Sequence, residues 1–485
     1  MMQSDEVSQM EARSKPIPSY GHLIDGAVSD GEAQMVVISP ATEKPIATVP
    51  DATRSELGHA LAAADKAFAS WSETDFAFRR ECLFKFAEAV RHNEEEIAEA
   101  LTREQGKPFA QARGEIAKAM AAVEKFTAIE IEPQLIRDTA EERIELRYRP
   151  LGVVAGITPW NFPVMLAAQK IAQALYTGNT MVLKPSPYTP VATLLLGKAS
   201  IGAIPPGVLN IVSGGNVLGA WLTSAPEVKK ISFTGSGRTG QAVLKSAAAN
   251  FARVTLELGG NDAAIILPDV DIDEVVPRIF AAAFNNAGQI CMAIKRLYVH
   301  ADIYEPVVAK MAAMADAIRV GDGMDPESDM GPVQNRPQYQ KLLGILDHTR
   351  RWTEGRIVAG GHVLERPGYF LRPTIVADIA EGSRLVDEEP FGPILPIIRF
   401  DDVDDAITRA NASEFGLSGS VWTADTARGA ELANRLEVGT AWVNRHGGAD
   451  AERPFGGAKT SGIGREHGLL GLHSYMEPLS LHVGK

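Results

Sequence analysis

Cysteine is nearly absent from this chain: its 485 residues include only Cys82 and Cys291. Two thiols are too few for a disulfide framework or for a thiolate metal site. The ten histidines show no H-E-x-x-H pairing, so the sequence predicts no bound metal. Each cysteine is therefore either a small buried side chain or a reactive thiol.

Basic clusters and long apolar runs are also missing. The formal net charge is −13, and no Lys/Arg-rich block reverses it locally, which argues against nucleic acid and anionic lipid as partners. No run of about 18 apolar residues occurs, and the first residues lack the apolar core of a signal peptide. These absences predict a cytoplasmic protein with no nucleic-acid or membrane partner.

What the chain does contain is a globular composition, with 45% hydrophobic and 22% charged residues. Helical periodicity dominates residues 54–125, and RIELRYRP, residues 143–150, alternates like an extended strand. Short apolar runs then alternate with helical ones over 151–270, and a second such series covers 271–460. This alternation predicts an α/β fold with parallel sheets and helices on both faces.

The stretch FTGSGRTG, residues 233–240, has the G-x-G-x-x-G spacing of a dinucleotide-binding loop. That fingerprint also asks for an acid about 20 residues downstream to bind the ribose hydroxyls, and Glu257 stands there. On this interpretation the protein is an ordinary Rossmann dehydrogenase, in which Glu257 binds ribose and Cys291 is inert.

Cys291 and Glu257 also allow a catalytic interpretation. Cys291 lies in the loop-like segment FNNAGQICMAIKR, whereas Cys82 belongs to an amphipathic helix and is predicted to be a buried hydrophobe. A nucleophilic thiol needs a nearby base or a lowered pKa. Glu257 is the candidate base, because it ends a buried-type strand and open α/β sheets bind ligands at the carboxyl ends of strands.

Three further polar residues are open to two interpretations each. Asn161 in ITPWNFPVML either caps the following helix or donates its side-chain amide to an oxyanion. Lys184 ends the run MVLK and is either a solvated strand end or a ligand of the cofactor ribose or phosphate. Glu389 in DEEPFGPIL, taken alone, indicates only a charged loop.

A series of strings along the chain, ITPWNFP, LKPSPYTP, FTGS, LELGG, GQIC, EEPFGP and PFGGAKTSGIGRE, resembles the NAD(P)-dependent aldehyde dehydrogenase superfamily. The resemblance runs from about residue 20 to the C terminus. It implies two interleaved open parallel-sheet α/β domains plus a small β oligomerisation arm, in a homodimer or homotetramer. The implied ranges are 1–125 and 148–258 for the NAD(P)-binding domain, 259–465 for the catalytic domain, and 126–147 and 466–485 for the oligomerisation element.

The same resemblance implies a mechanism. Cys291 would attack an aldehyde, and the thiohemiacetal oxyanion would be held by the Asn161 amide and the Cys291 N–H. Loss of hydride to the nicotinamide would leave a thioester, and Glu257 would activate the water that hydrolyses it. Lys170 and Glu466 would move protons to and from Glu257. Because Glu257 is present, release of a free acid is favoured over transfer to coenzyme A.

Other residues are expected to line the cofactor and substrate sites. The implied cofactor set comprises Ile157, Thr158, Pro159, Trp160, Lys184, Ser186, Gly235, Ser236, Thr239, Leu258, Glu389 and Phe391. The implied substrate set comprises Phe162, Met165, Gln169, Ile290, Met292 and Phe455, with His446 near the mouth.

Two positions depart from common patterns of the superfamily. NAD is the expected cofactor, but Pro187 replaces the glutamate that grips the ribose diol in many NAD-preferring relatives, so NADP is possible. Gln169 replaces the arginine of succinate-semialdehyde enzymes, so an uncharged aliphatic or aromatic aldehyde is expected. The alternative functions are a cofactor-independent Cys-dependent thioesterase or hydrolase, and a non-catalytic protein on an enzyme scaffold.

Overall fold

A computed structural model of the protein describes residues 17–352, 355–448 and 450–485. Residues 1–16 of the predicted NAD(P)-binding domain lie outside the described residues. The strands are β1 (His22–Ile24), β2 (Ala27–Ser29), β3 (Gln34–Ile38), β4 (Pro45–Pro50), β5 (Gln134–Asp138), β6 (Glu142–Pro150), β7 (Val153–Ile157), β8 (Thr180–Lys184), β9 (Leu209–Ile211), β10 (Val228–Thr234), β11 (Arg253–Glu257), β12 (Asp262–Ile266), β13 (Ile294–His300), β14 (Arg356–Ala359), β15 (Thr374–Ala377), β16 (Ile394–Phe400), β17 (Phe415–Gly416), β18 (Ser418–Trp422), β19 (Thr440–Val443), β20 (Ala458–Lys459), β21 (Gly462–Ile463) and β22 (Met476–Gly484).

Helices flank these strands and follow the predicted alternation. They are α1 (Arg54–Trp71), α2 (Phe76–His92), α3 (Glu94–Gln105), α4 (Phe109–Ala128), α5 (Pro163–Tyr176), α6 (Val191–Ser200), α7 (Asn216–Ser224), α8 (Gly237–Ala247), α9 (Ile272–Phe284), α10 (Tyr304–Ala317), α11 (Arg336–Arg351), α12 (Arg384–Asp387), α13 (Val403–Asn411), α14 (Thr426–Ala433) and α15 (Gly468–His473).

The first sheet has the strand order β2-β1-β9-β8-β7-β10-β11-β21. Strands β7 to β11 run parallel, and the order reverses between β7 and β10, which is where open α/β sheets bind ligands. The register pairs Ile157 with Lys184 and with Phe233, and pairs Thr234 with Glu257. The strand-end residues predicted to be functional are therefore held along one edge by backbone pairing.

The second sheet has the order β14-β15-β16-β13-β12-β18-β19 and is parallel apart from β14. The chain passes from Glu257 at the end of β11 to Asp262 at the start of β12 in a few residues, so the carboxyl edge of the first sheet adjoins the amino edge of the second. Asp262 pairs with Ile294, which places the segment before β13, with Cys291, at that junction.

A small antiparallel sheet has the order β22-β6-β5. Strand β6 pairs along its whole length with β22 near the C terminus, from Glu142 with Gly484 to Pro150 with Met476. Together with the two parallel sheets, this confirms the predicted fold class. The exact domain ranges stay a prediction, and β21, inside the range predicted for the catalytic domain, pairs with β11 of the first sheet.

In the part of the chain that the structure describes, no helix combines the length and apolar character needed to cross a membrane. The same part contains no group of three or more His, Cys, Asp or Glu side chains arranged to hold a metal ion. The cytoplasmic location stays a prediction.

Candidate active site

Asn161 lies between β7 and α5, and it does not cap the helix. The N-cap position of α5 is Phe162, without a side-chain cap, while the Asn161 amide nitrogen donates to the carbonyl of Gln289, 2.9 Å away. Glu115 receives the first helical N–H groups instead, from Val164 and Met165 at 3.0 and 3.1 Å. The Asn161 side chain is thus free of the helix and directed at the segment that carries Cys291.

A buried ion pair fixes the backbone of Asn161. Lys107 and Glu115 form a salt bridge with side chains only 1% exposed, and Lys107 Nζ donates to the Asn161 carbonyl at 3.0 Å. The Asn286 amide donates to the same carbonyl, also at 3.0 Å. Sequence reasoning missed Lys107 and Glu115. The available signal was a lysine between Gly106 and Pro108, at a break between two helical patterns.

Cys291 follows a tight turn, in which Asn286 and Ala287 adopt left-handed backbone angles with φ of 52° and 55°. The residue as a whole is partly exposed. Loss of solvation nevertheless raises the pKa of the Cys291 thiol to about 12, with Lys295 lowering it and Asp262, Glu257 and Glu389 raising it. The thiol is therefore protonated at neutral pH and needs a base before it can attack a carbonyl.

His446 packs against this segment as a neutral structural group. One ring nitrogen lies 2.8 Å from the Ser420 hydroxyl and the other 2.9 Å from the Met292 carbonyl. Burial lowers the pKa of His446 to about 3. Because the carbonyl can only accept, the ring donates to Met292 and accepts from Ser420. Both ring nitrogens are thus engaged, and one of them holds the residue that follows Cys291.

Glu257 ends β11 as a buried carboxyl group that is 4% exposed. Among the described residues, neither of its oxygens has a hydrogen-bond partner. Burial, assisted by the charge of Glu466, raises the pKa of Glu257 well above its ordinary value. An unpaired buried carboxyl group destabilises the fold, so its presence is typical of a functional acid or base.

Lys170 and Glu466 meet in a buried ion pair near Glu257. Lys170 Nζ donates to Glu466 Oε1 and to the Ser232 hydroxyl, the latter at 2.9 Å. Ser232 in turn donates to Glu466 at 2.8 Å. Burial raises the pKa of Glu466, but Lys170 and neighbouring groups outweigh it, so that this pKa lies below its ordinary value. The structure therefore brings together two residues almost 300 positions apart.

The reversal point of the first sheet gathers the predicted phosphate-binding residues. Ser236 is the N-cap of α8 and accepts from the Thr239 N–H at 3.3 Å, and the Gly235 N–H donates to the Glu257 carbonyl at 3.0 Å. An added Cβ at Gly240 would lie 2.6 Å from the Leu258 side chain, whereas one at Gly237 would meet nothing within 4 Å. Gly240 thus packs closely against Leu258, whereas the middle glycine of the spacing faces open space.

The remaining predicted cofactor residues of β7 and β8 lie beside this loop. Ile157 and Thr158 are buried, and the Thr158 hydroxyl has no partner within the described ranges. Lys184 is also buried, which lowers its pKa to about 8, and its Nζ donates to the carbonyl of the adjacent Pro185. The Ser186 hydroxyl accepts from the Tyr188 N–H at 3.3 Å. The Lys184 ammonium has no close carboxylate partner among the described residues and can turn to a ligand.

Glu389 and Phe391 approach from the second sheet. Glu389 Oε1 accepts from the Gly260 N–H at 3.1 Å and lies 3.1 Å from Lys295 Nζ. The Phe391 ring meets Trp160 edge to face, with centroids 5.3 Å apart, next to the partly exposed Pro159. Residues of both sheets therefore face one crevice.

The predicted substrate residues form a less complete set. Phe162, Ile290 and Met292 are half-buried around the Cys291 segment. Gln169 and Phe455 are buried and are joined by His467: its Nε2 lies 3.3 Å from Gln169 Oε1, and its ring stacks on Phe455 at 6.0 Å.

Met165, also half-buried, packs against the core of the first sheet. Sequence reasoning missed His467, whose backbone has a positive φ of 65° that nothing in the local sequence announces.

The chain is similar to known aldehyde dehydrogenases over almost its whole length. A family model described as "Aldehyde dehydrogenase family" matches residues 27–480. The chain is 37% identical over 474 residues to a betaine aldehyde dehydrogenase from Cereibacter sphaeroides, which covers 96% of this chain and 98% of that protein.

Two solved structures are similar over almost the whole chain. An aldehyde dehydrogenase from Bacillus cereus in complex with NAD+ superposes with a TM-score of 0.94 at 34% identity, covering 96% of both chains. A 3,6-anhydro-L-galactose dehydrogenase in complex with NAP gives a TM-score of 0.91 at 36% identity, covering 96% of this chain and all of that one.

Proposed function

Since the chain belongs to the aldehyde dehydrogenase family and is an NAD(P)-dependent aldehyde dehydrogenase, we propose that Cys291 is its nucleophile and Glu257 its general base. The observation that carries this proposal is a buried carboxyl group without a partner among the described residues, close enough to the thiol of the partly exposed residue Cys291 for its charge to raise the thiol pKa. Structural pairing explains neither group.

The first step is attack of the Cys291 sulfur on the aldehyde carbon. The thiol proton must leave, and Glu257, directly or through water, is the group that can accept it. The carbonyl oxygen gains negative charge as the C–S bond forms. The Asn161 amide and the Cys291 N–H are the donors we assign to that oxyanion, in keeping with the fixed backbone of Asn161.

Hydrolysis of the resulting thioester needs a base at the same place. Glu257 would take a proton from water as the water attacks the acyl carbon, and the Cys291 thiolate would leave. The raised pKa of Glu257 makes it a stronger base than an exposed carboxylate. We assign Lys170, Ser232 and Glu466 the onward movement of that proton, since they already form one hydrogen-bonded cluster.

The crevice fits a dinucleotide cofactor. The N-terminus of α8 presents backbone N–H groups next to Gly235 and Ser236, as anion-binding helix starts do, and the buried Thr158 hydroxyl lacks a partner in the described part of the chain. We assign Lys184 and Ser186 to the adenosine ribose and Glu389 with Phe391 to the nicotinamide ribose. A bound nicotinamide supplies the hydride acceptor that oxidation of an aldehyde requires.

The choice between NAD and NADP is expected to depend on residue 187. Replacing Pro187 with glutamate should lower kcat/KM with NADP relative to NAD by at least about tenfold, because a carboxylate three residues after Lys184 repels a 2′-phosphate. The measurement is kcat/KM with each cofactor at a saturating aldehyde concentration. P187Q is the matched control, and an equal change in P187E and P187Q would assign the effect to loss of the proline instead.

For the substrate, we propose an uncharged aliphatic or aromatic aldehyde. The polar side chain predicted for its path is the Gln169 amide, and the nearby Lys107, 4.0 Å from the Phe162 ring centroid, is neutralised by Glu115. Neither group is suited to bind a substrate carboxylate. Formation of NADH or NADPH over a panel of neutral and carboxylated aldehydes tests this, with preference for the carboxylated members as the contrary result.

The same assay separates the alternative functions. A thioesterase or hydrolase would cleave thioesters or esters at full rate without cofactor, whereas an aldehyde dehydrogenase reduces NAD(P) in proportion to the acid formed. A non-catalytic protein would give neither product with any aldehyde of the panel.

We also propose that the β22-β6-β5 sheet mediates a homodimer or homotetramer. Strand β5 is an exposed edge on which Leu135 and Ile136 are 53% and 56% exposed. Arginine at both positions should lower the molar mass measured by light scattering towards that of a monomer. The control is F251R, which changes an 86% exposed phenylalanine outside that sheet. Unchanged mass in the double variant would contradict this role.

A further inference from the structure

Lys295 connects the Cys291 segment to Glu389. It lies in β13, four residues after Cys291, and its side chain is 3% exposed. Its ammonium donates a hydrogen bond to the Cys291 carbonyl and lies 3.1 Å from Glu389 Oε1. That same oxygen accepts from the Gly260 N–H. One buried cation is therefore shared between the proposed nucleophile and the carboxylate proposed to hold the nicotinamide ribose.

Charges of both signs act on the Cys291 thiol. Asp262, Glu257 and Glu389 raise the pKa of the Cys291 thiol, and Lys295 opposes them. The sulfur lies within about 5 Å of the carbonyl oxygen of its own residue, which is the oxygen that Lys295 contacts. The Lys295 ammonium contacts that oxygen and its charge lowers the thiol pKa, so it favours a thiolate unless a carboxylate neutralises it.

Two further titratable groups lie near the Lys295 ammonium. His446 is neutral, because burial lowers its pKa to about 3. Lys341 donates to the backbone carbonyl of Glu389 at 2.6 Å, and burial lowers its pKa. The carboxylate of Glu389 is therefore held by Lys295 and by the Gly260 N–H, and its backbone by Lys341.

We propose that Lys295 is a positioning residue that stabilises the Cys291 thiolate, and that Glu389 neutralises its charge until the cofactor ribose takes over Glu389. The inference rests on the proposed roles of Cys291 and Glu389. Ribose hydroxyls donate hydrogen bonds to a carboxylate, so they compete with Lys295 for the same group. Once Glu389 turns to the ribose, Lys295 keeps the Cys291 carbonyl and its charge acts on the sulfur. Cofactor binding thereby activates the thiol before an aldehyde enters.

Alkylation by iodoacetamide tests this without any aldehyde, because the thiolate displaces iodide and the rate follows the thiolate fraction. The experiment uses the Cys82→Ala variant, so that the measured alkylation is that of Cys291. The apparent pKa of alkylation is determined with and without saturating NAD. We expect NAD to lower it and to raise the rate at neutral pH by at least about tenfold.

Two variants separate the parts of the proposal. E389Q should show the high rate without NAD and a further rise below about twofold, because Lys295 is no longer neutralised. K295M keeps the side-chain length without the charge and should lose the response to NAD, and K295R should restore it. Cofactor binding is measured in each variant by quenching of tryptophan fluorescence, so that all rates refer to bound enzyme.

A parental NAD response in K295M, or a parental cofactor-free profile in E389Q, would overturn the proposal. Thermal melting shows whether each variant folds. If K295M does not fold, the alkylation profile of E389Q decides the proposal. The proposed function is tested separately from the role of Lys295. The proposed function is contradicted if C291A still oxidises aldehydes, whatever the alkylation profile. The role of Lys295 is contradicted if an active enzyme is alkylated at the same rate with and without NAD.

Discussion

Replacing Cys291 with alanine is expected to lower kcat for aldehyde oxidation by at least about 10⁴-fold, the scale seen when a covalent nucleophile is removed. Without the sulfur, the aldehyde cannot be converted into the tetrahedral adduct that loses hydride. Glu257 and Asn161 remain, but neither forms the bond. Absorbance of the reduced cofactor measures the rate directly.

Cys82 provides the matched control for this change. It is 5% exposed inside α2 and packs in the core of the first sheet, as its amphipathic surroundings predict. Cys82→Ala should therefore retain the parental kcat and cost stability only. Substantial oxidation by C291A, or by the more conservative C291S, would support the ordinary Rossmann interpretation, in which this thiol is inert.

Replacing Glu257 with glutamine is expected to lower steady-state turnover by about 10²- to 10⁴-fold, while the first equivalent of reduced cofactor still forms. The amide keeps the shape of the carboxyl group but cannot accept a proton from water. Thioester hydrolysis then becomes limiting. Stopped-flow absorbance should show a burst approaching one equivalent per active site, followed by a slow phase.

The rate of that burst carries a second expectation. Loss of solvation raises the pKa of the Cys291 thiol to about 12 in the cofactor-free protein, and in the cofactor-bound enzyme the thiolate fraction still grows as the pH rises towards the lowered pKa. In E257Q, which lacks the base, the burst should accelerate as pH rises. A variant that turns over at the parental rate would remove Glu257 from the mechanism, and E257D, which keeps the carboxylate, is the control for altered packing.

Those features of the site that depend on local pattern could be predicted from the sequence. Buried strands ending at Ile157, Lys184 and Glu257 follow from apolar runs bounded by turns, and parallel pairing then aligns their ends. The glycine spacing of FTGSGRTG was a less reliable signal, since a Cβ added at Gly240 would contact Leu258 whereas one added at Gly237 would contact nothing within 4 Å. The ribose-anchor interpretation of Glu257 arose from that spacing alone.

Features that depend on packing between distant segments could not be predicted. Lys107 reaches the Asn161 carbonyl, and Lys295 reaches Glu389, only because separate elements fold together. In the sequence alone, each lysine is equally compatible with a solvent-exposed surface position. Asn161 precedes a helix with Pro163 in its first turn, which is a typical capping position in the sequence. In the structure Glu115, from a distant helix, accepts the first helical N–H groups instead.

The most direct test of the Cys291 and Glu257 pairing is mass spectrometry of E257Q after mixing with an aldehyde and NAD(P). The thioester should accumulate, so peptide mapping should find the acyl group of that aldehyde on Cys291 at close to one per chain. Without cofactor, no oxidised adduct should form. An unmodified Cys291 in enzyme that has produced its burst of reduced cofactor, or an acyl group on another residue, would contradict the mechanism.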